Sequence, residues 1–263
     1  MPSINKKVAW ITGASSGIGE GLAYALAAKN CKLILSGRNV AALEHVKANC
    51  KTSDVFILPF DLSDFYEAHA NVQKAISFFG RVDILVNNGG ISQRSLLAET
   101  SFEVDKKLME VDYLGTVALT KALLPHFIKN QNGQFVTITS LMGKFGSPYR
   151  SGYCGAKHAL HGFFDVLRME HEKDHIKVTL ICPGFIQTNI AKNALTATGL
   201  KQLSDDEATK NGMAVSIFAQ KFIRAVETEK FEAYIGGKEI LGVYLKRFFP
   251  KFLHRFVLKS KVR

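Results

Sequence analysis

Tyr153 and Lys157 stand four residues apart in the stretch SGYCGAKHAL that runs from Ser151 to Leu160. On a helix that spacing stacks the two side chains one turn apart on a single face. An ammonium held beside a phenol favours the phenolate and draws the tyrosine's pKa down. A phenol tuned in this way is a usable general acid or base. Ser140 follows the β-branched run Val136-Thr137-Ile138-Thr139, which predicts a buried strand. A hydroxyl at such a strand end can bond a substrate oxygen beside the tyrosine. Taken alone, a Tyr-x-x-x-Lys pair more often marks a solvated helix face, so the surrounding elements decide.

Those elements begin with KVAWIT, Lys7 to Thr12, a short apolar strand. Gly13-Ala14-Ser15-Ser16-Gly17-Ile18-Gly19 follows at once, and Ile18, Leu22, Ala25 and Leu26 then fall at helical spacing. Strand, glycine turn and helix form the context of a dinucleotide-binding loop: glycines let the backbone approach a pyrophosphate, whose charge sits on the helix N-terminus. The second strand, Lys32 to Ser36, ends in Gly37-Arg38-Asn39. No acid stands there to bond the ribose 2′-hydroxyl of NAD, and Arg38 suits the 2′-phosphate of NADP instead. After a third strand, Val55 to Pro59, Asp61 and Leu62 either border an adenine ring or form a turn that caps the next helix at Ser63.

A fourth strand, Val82 to Val86, leads into Asn87-Asn88-Gly89-Gly90, where glycines allow close backbone approach. Val104, Leu108, Val111, Gly115, Ala118 and Ala122 mark one buried stripe on a long helix from Ser101 to about Lys129. Gln134 to Thr139 is the fifth strand, Tyr153 to about Asp174 the next helix, and Lys177 to Cys182 a further strand closed by Pro183-Gly184. The stretch from Phe185 to Gly212 shows little periodicity and is expected to be a mobile lid. A helix over Met213–Thr228 and a strand over Phe231–Ile235 complete the pattern. Alternating strands and helices predict an α/β fold, one doubly wound, mainly parallel sheet in a single domain. Ligands on such sheets sit beyond the C-terminal strand ends. Gly13, Arg38, Asp61, Asn88, Ser140 and Pro183 all fall there.

Composition narrows the class. The 263 residues carry a net charge of +11. From Lys238 to Arg263 eight Lys/Arg face one acid, a net +7, so the body is near neutral and nucleic acid is not an expected partner. Cys31, Cys50, Cys154 and Cys182 lack C-x-x-C spacing and read as reduced thiols of a cytoplasmic protein. The N-terminus has no apolar signal core, and no apolar run is long enough to span a bilayer. The H-E-x-x-H match at His171–His175 lies at a helix end with no third ligand in view, so no metal is expected.

With these residues in view, the chain resembles the short-chain dehydrogenase/reductase family over nearly all of Lys7 to Ile235, and is similar in particular to hydroxysteroid-dehydrogenase-like reductases. The resemblance rests on TGASSGIG from Thr12, DLSD from Asp61, NNGG from Asn87, Ser140, YCGAK from Tyr153 and PGFIQT from Pro183. It implies a Rossmann fold and hydride transfer between a nicotinamide and a carbonyl or alcohol. It implies that Tyr153 exchanges the proton with the substrate oxygen, that Lys157 tunes Tyr153 and bonds the nicotinamide ribose, and that Ser140 holds the substrate oxygen. Cofactor contacts are implied for the Gly13–Gly19 loop (through Ser15, Ser16, Gly17 and Ile18), for Asn88, Gly89 and Val111, and for Pro183, Gly184, Ile186 and Thr188. Asp112 occupies the position where the family usually has a water-holding asparagine, and is counted as a fourth catalytic residue. Gly89 replaces a usual alanine. The family also implies homodimers or homotetramers built on the two long helices.

The expected enzyme is therefore an NADP(H)-dependent oxidoreductase. Its pocket, shaped by Met142, Tyr149, Phe185 and the lid, favours an apolar lipid, steroid or aromatic ketone. The alternative is a non-catalytic NADP-binding sensor or scaffold. Residues 1–237 make up the dehydrogenase domain. Residues 238–263 form a basic amphipathic helical extension, which either lies in a membrane interface or covers the pocket or a partner.

Overall fold

Val8–Thr12 (β1) is buried at every position, as expected for a strand sandwiched between two helical layers. In the computed structural model, which describes residues 3–51 and 54–259, six more strands join it. They are β2 (Lys32–Ser36), β3 (Val55–Ile57), β4 (Ile84–Asn87), β5 (Gly133–Ile138), β6 (Ile176–Pro183) and β7 (Glu232–Ile235). All pair parallel, in the order β3-β2-β1-β4-β5-β6-β7. The order reverses direction at β1, where β2 and β4 flank it, and the crevice between those strand ends is the ligand position of a doubly wound sheet.

Side chains alternate between two cores along each strand. Ala9, Ile11, Leu33, Leu35, Val136 and Ile181 point to one face. There α1 (Gly17–Ala27), α2 (Val40–Asn49) and α8 (Val215–Glu227) pack with Leu22, Leu43 and Phe222. Val8, Trp10, Ile34, Leu85, Phe135 and Leu180 point to the other face. They meet α3 (Ala68–Phe79), α5 (Gly115–Asn130) and α6 (Ser151–Glu170) through Val72, Leu123, Phe127 and Phe164.

The long helix is not one α-helix. It runs as α4 (Phe102–Met109), a widened π-turn over Glu110–Leu114, and α5. A π-turn inserts an extra residue and re-aims its side chains, and such turns recur at functional sites. The 185–212 segment is tied down at several points, counter to the expected mobile lid, and carries one short helix, α7 (Glu207–Lys210). Beyond β7, α9 (Leu241–Phe248) and α10 (Pro250–Lys259) fold back on the body. Leu253 is buried with Leu141, Phe145 and Cys182, and Met142, Ile240 and Val243 pack around them. The expected tail residues 260–263 lie outside the described residues.

Candidate active site

A cleft of about 710 Å³ lies along the C-terminal ends of the strands and is lined from Thr12 and Ser36 at one end to Met142 and Leu195 at the other. Its dinucleotide end is built from backbone. Gly13 (φ +62°) and Gly17 (φ +58°) hold left-handed conformations that favour glycine. A Cβ on Gly19 would stand 2.2 Å from the Gly13 carbonyl, so Gly19 serves the packing of the loop and is not on the cleft wall. Gly13 and Gly89 pack backbone to backbone: a Cβ on Gly13 would meet the Gly89 Cα at 2.7 Å. An alanine at 89 would press on the Leu62 side chain at 2.4 Å, so here the glycine and Leu62 share one space. Thr12 Oγ1 accepts from the amides of Asn88 and Gly89, and Asn88 Nδ2 donates to the carbonyls of Thr12 and Gly13, locking the two loops together. Ser16, at the N-cap of α1, makes no side-chain cap bond, which leaves the helix N-terminus to an anion.

Arg38 follows β2 at the cleft rim with its side chain 67% exposed and its guanidinium 3.4 Å from Asp61. Asn39 beside it is used as the cap of α2, accepting from the Ala42 amide. Asp61 combines a place on the cleft wall with a turn at Ser63. It lines the cleft, and its Oδ1 accepts from the Ser63 amide and hydroxyl in a tight turn. Partial burial pushes its carboxyl up, but those bonds and the Arg38 and Lys107 charges outweigh this and hold it below the ordinary range.

At the other end Ser140, Tyr153 and Lys157 line the same cleft. Ser140 stands after β5, and its Oγ accepts from the Met142 amide, which leaves its own O–H to donate. Lys157 Nζ lies 5.6 Å from the centre of the Tyr153 ring and 3.5 Å from the Ile138 carbonyl. Asp112 does not reach the cleft. It is fully buried in the π-turn, accepts from the Ile91 amide at 2.7 Å and stands 3.4 Å from Lys157 Nζ. Burial raises the Asp112 carboxyl, an effect Lys157 partly offsets. Burial alone would lower the Lys157 ammonium, but Asp112 and Tyr153 outweigh it and hold it above its ordinary range. A direct pair with the lysine thus stands where the resemblance implied a water holder. Gly90 makes room for it, since a Cβ there would fall 3.1 Å from Asp112 and 3.3 Å from Lys157.

Val111, Met142, Pro183, Gly184, Phe185, Ile186 and Thr188 line the cleft. Tyr149 does not; its left-handed φ of +68° turns the chain, and Arg150 takes the wall position instead. Sequence reading missed Gln93, Arg94, Arg150 and Asp206, all nearly buried. It also missed Glu239, whose Oε1 accepts from the amides of Phe185 and Gly237 and pins the turn after β6. The polar run Ser92-Gln93-Arg94, one residue after two glycines, was the available signal; nothing in spacing linked it to Asp206.

The features set aside have other partners. His171 pairs with Asp174 at 2.8 Å, and no cluster among the described residues has the make-up of a metal site. The four cysteines are free, with burial pushing the thiols of Cys31 and Cys182 up to about 12. Among the described residues no helix is long and apolar enough to cross a membrane.

Comparison with known proteins agrees with this geometry. A family model described as short chain dehydrogenase matches residues 7–199. The chain is 43% identical over 251 residues to human dehydrogenase/reductase SDR family member 7, covering 92% of this chain and 74% of that protein. It is 40% identical over 265 residues to an Anopheles gambiae SDR family protein 7-like, covering 98% and 84%. Among solved structures, a short-chain dehydrogenase/reductase from Burkholderia phymatum in complex with NAD superposes with a TM-score of 0.86 at 22% identity, covering 96% of each chain. At that identity it attests the fold alone. A short-chain dehydrogenase from Streptomyces avermitilis gives 0.83 at 25% identity, covering 98% of this chain and all of that one. The parallel sheet, the glycine-built crevice and these matches lead to one conclusion: this chain belongs to the short-chain dehydrogenase/reductase family of oxidoreductases.

Proposed function

We propose that the protein is an NADP(H)-dependent oxidoreductase acting on a carbonyl or secondary alcohol of a fairly apolar substrate. The observation that carries this reading is the placement of Tyr153, Lys157 and Ser140 on one cleft whose far end is a glycine-built dinucleotide cradle. The cradle fits a pyrophosphate because its loop is backbone, held open by Gly13 and Gly17, on an uncapped helix N-terminus. The exposed guanidinium of Arg38 supports the 2′-phosphate form of the cofactor. The NAD of the Burkholderia neighbour shows that a related fold takes the form without that phosphate, so the preference rests on Arg38. The nicotinamide, when bound, supplies the hydride to the carbonyl carbon or accepts it from the alcohol carbon. Ser140 donates a hydrogen bond to the substrate oxygen and orients it. Tyr153 gives its phenolic proton to that oxygen in reduction and takes it back in oxidation. Lys157 stays an ammonium because Asp112 holds it so, and its charge stabilises the phenolate left behind. Met142, Phe185, Ile190 and Leu195 give the substrate end apolar walls.

The test is titration with NADPH and NADH followed by turnover of apolar ketones. Tyr153→Phe is expected to lose at least about 10³-fold in kcat with NADPH affinity unchanged. Arg38→Ala is expected to weaken NADPH at least about tenfold and leave NADH unaltered. Tight NADPH binding with equal turnover in Tyr153→Phe overturns the mechanism, and tight binding with no turnover favours the sensor reading.

Two further contacts belong to this proposal. Phe102, Leu114, Val166 and Met169 are exposed on α4, the π-turn and α6, and supply apolar surface for a homodimer through those helices, to be read by analytical ultracentrifugation. Leu241, Tyr244, Phe248, Phe252 and Phe256 recur at three- and four-residue spacing along α9 and α10, all exposed. Lys246, Arg247, Lys251, Arg255 and Lys259 flank them with no acid after Glu239. Apolar and cationic side chains without acids suit the surface of an anionic bilayer. Co-flotation with vesicles containing phosphatidylserine, lost in Phe252→Ser/Phe256→Ser, is the expected result; equal flotation of the double variant removes the reading.

A further inference from the structure

Three segments far apart in sequence meet beside Tyr153. The first is Ser92-Gln93-Arg94, after the glycines that follow β4. The second is Arg150-Ser151-Gly152 at the start of α6. The third is the 185–212 segment that walls the cleft. Gln93 has no exposed surface. Its side-chain oxygen accepts from the Gly152 amide at 2.9 Å and the Tyr153 amide at 3.4 Å. Its side-chain nitrogen lies within bonding distance of the hydroxyls of Ser95, Thr100 and Ser151. An amide oxygen on the first free N–H groups of a helix is a cap. Here the cap comes from another part of the chain, because Arg150 at the N-cap position makes no side-chain cap bond of its own.

Arg94 points the other way. Its Nε and Nη2 donate to Asp206 Oδ2 at 2.9 and 2.6 Å, and its Nη1 donates to the Ser92 hydroxyl and the Gln93 carbonyl. Arg150 Nη2 reaches the same Asp206 oxygen at 3.3 Å. Two guanidiniums therefore share one buried carboxylate, at 4%, 5% and 2% side-chain exposure for Arg94, Arg150 and Asp206. The backbone adds a reciprocal pair, with the Leu195 amide on the Ser92 carbonyl and the Arg94 amide on the Leu195 carbonyl, both at 2.8 Å. The tripeptide thus touches the tyrosine's helix with one side chain and the cleft wall with the next.

We propose that Ser92-Gln93-Arg94 is the positioning unit of the site. Gln93 fixes the N-terminus of α6 and with it Tyr153. Arg94, with Arg150, anchors Asp206 and with it the substrate-side wall. The two halves have separable consequences. Loss of the Gln93 cap misplaces the acid–base group after substrate has bound and lowers kcat; a shift of about 1 Å costs on the order of 10²-fold. Loss of the Asp206 charge leaves two buried cations facing each other, which frees the wall and raises KM.

The experiment compares Gln93→Leu, Gln93→Glu and Asp206→Asn by amide hydrogen exchange, by NADPH titration, and by steady-state kinetics with NADPH and phenanthrenequinone. Gln93→Leu is expected to speed exchange at Gly152 and Tyr153 and to lower kcat by about 10²-fold, with NADPH affinity within about twofold. Gln93→Glu keeps the acceptor at the helix end and is expected to restore kcat to within about fivefold of wild type. Asp206→Asn is expected to speed exchange across residues 185–212 and to raise KM about tenfold, with kcat within about threefold. Unchanged kcat in a folded Gln93→Leu, equal loss in Gln93→Glu, or unchanged exchange of 185–212 in Asp206→Asn each overturns the proposal. If Gln93→Leu does not fold, Gln93→Glu and Asp206→Asn decide. The kinetic arm rests on the oxidoreductase reading and the exchange arm does not. Wild type that turns nothing over refutes that reading and leaves the clamp to be judged by exchange alone.

Discussion

The two ends of the cleft are built from different materials. The dinucleotide end is built around glycines: a Cβ on Gly13, Gly19 or Gly89 would stand less than 3 Å from a neighbouring atom. The substrate end is side chain: Arg94 and Arg150 hold Asp206 by charge, while Gln93 and Glu239 reach from other segments to pin backbone amides. At Gly13 and Gly19 the nearest obstacle is backbone, which has little slack, so an added atom there is poorly tolerated. Side-chain networks can lose one bond and keep the rest, so the second end tunes by degrees.

The sharpest way to break the comparison is one methyl group at the rigid end. Gly19→Ala puts a Cβ 2.2 Å from the Gly13 carbonyl oxygen and 2.6 Å from Asn88 Nδ2. Backbone cannot step aside as a side-chain tip can. A loss of about 1–3 kcal/mol of stability is expected, with NADPH binding abolished. The check is thermal melting with and without NADPH, and a variant that is stabilised by NADPH as wild type is would show that the loop has slack after all.

The same contrast explains what could be read in the sequence. The glycine loop and the Tyr153–Lys157 pair are local: each lies within a few residues, and their chemistry follows from spacing. The strand pattern was legible because both faces of a parallel sheet are buried, so β2 carries the unbroken apolar run Leu33-Ile34-Leu35 between its two polar ends. The π-turn was not legible, because its stripe from Val104 to Ala122 keeps near-helical spacing across one extra residue. Asp206 was invisible for another reason: its partner Arg94 is 112 residues away, and no periodicity records so long a connection. Tyr149 was misplaced because a left-handed φ at a non-glycine residue leaves no mark in residue type.

Asp112 sits behind the cleft wall against Lys157, and charge there gives a graded effect. Asp112→Asn keeps an acceptor for the Ile91 amide but removes the carboxylate that stands 3.4 Å from Lys157. Asp112 raises Lys157, so the ammonium of the variant releases its proton at lower pH. While it remains charged, its field at the reacting oxygen has no carboxylate to offset it. In the direction of alcohol oxidation, the rising limb of log kcat/KM against pH is expected to move to lower pH. A limb that stays in place would mean that the Asp112 charge does not reach the reacting atoms.

The smallest effect is expected behind the substrate end, at Glu232. Its carboxylate takes bonds from Lys144, His161 and Tyr234, joining the loop after Ser140, α6 and β7. Partial burial would raise this carboxyl, but those partners hold it at about 2 against an ordinary 4.5. A depressed carboxyl contributes stability above its unfolded value and loses it as the pH falls through the folded one. The contribution is therefore complete at neutral pH and fades from about 4.5 down to about 2. Glu232→Gln is expected to melt about 2–4 °C below wild type at pH 7, with the gap closing over that acid window. Turnover should change little, because the network braces the Ser140 loop at a distance through Lys144 and leaves the Ser140–Met142 bond intact. A gap that persists at low pH would assign the loss to packing instead of charge. A large fall in kcat would show that the side-chain end is as unforgiving as the glycine end.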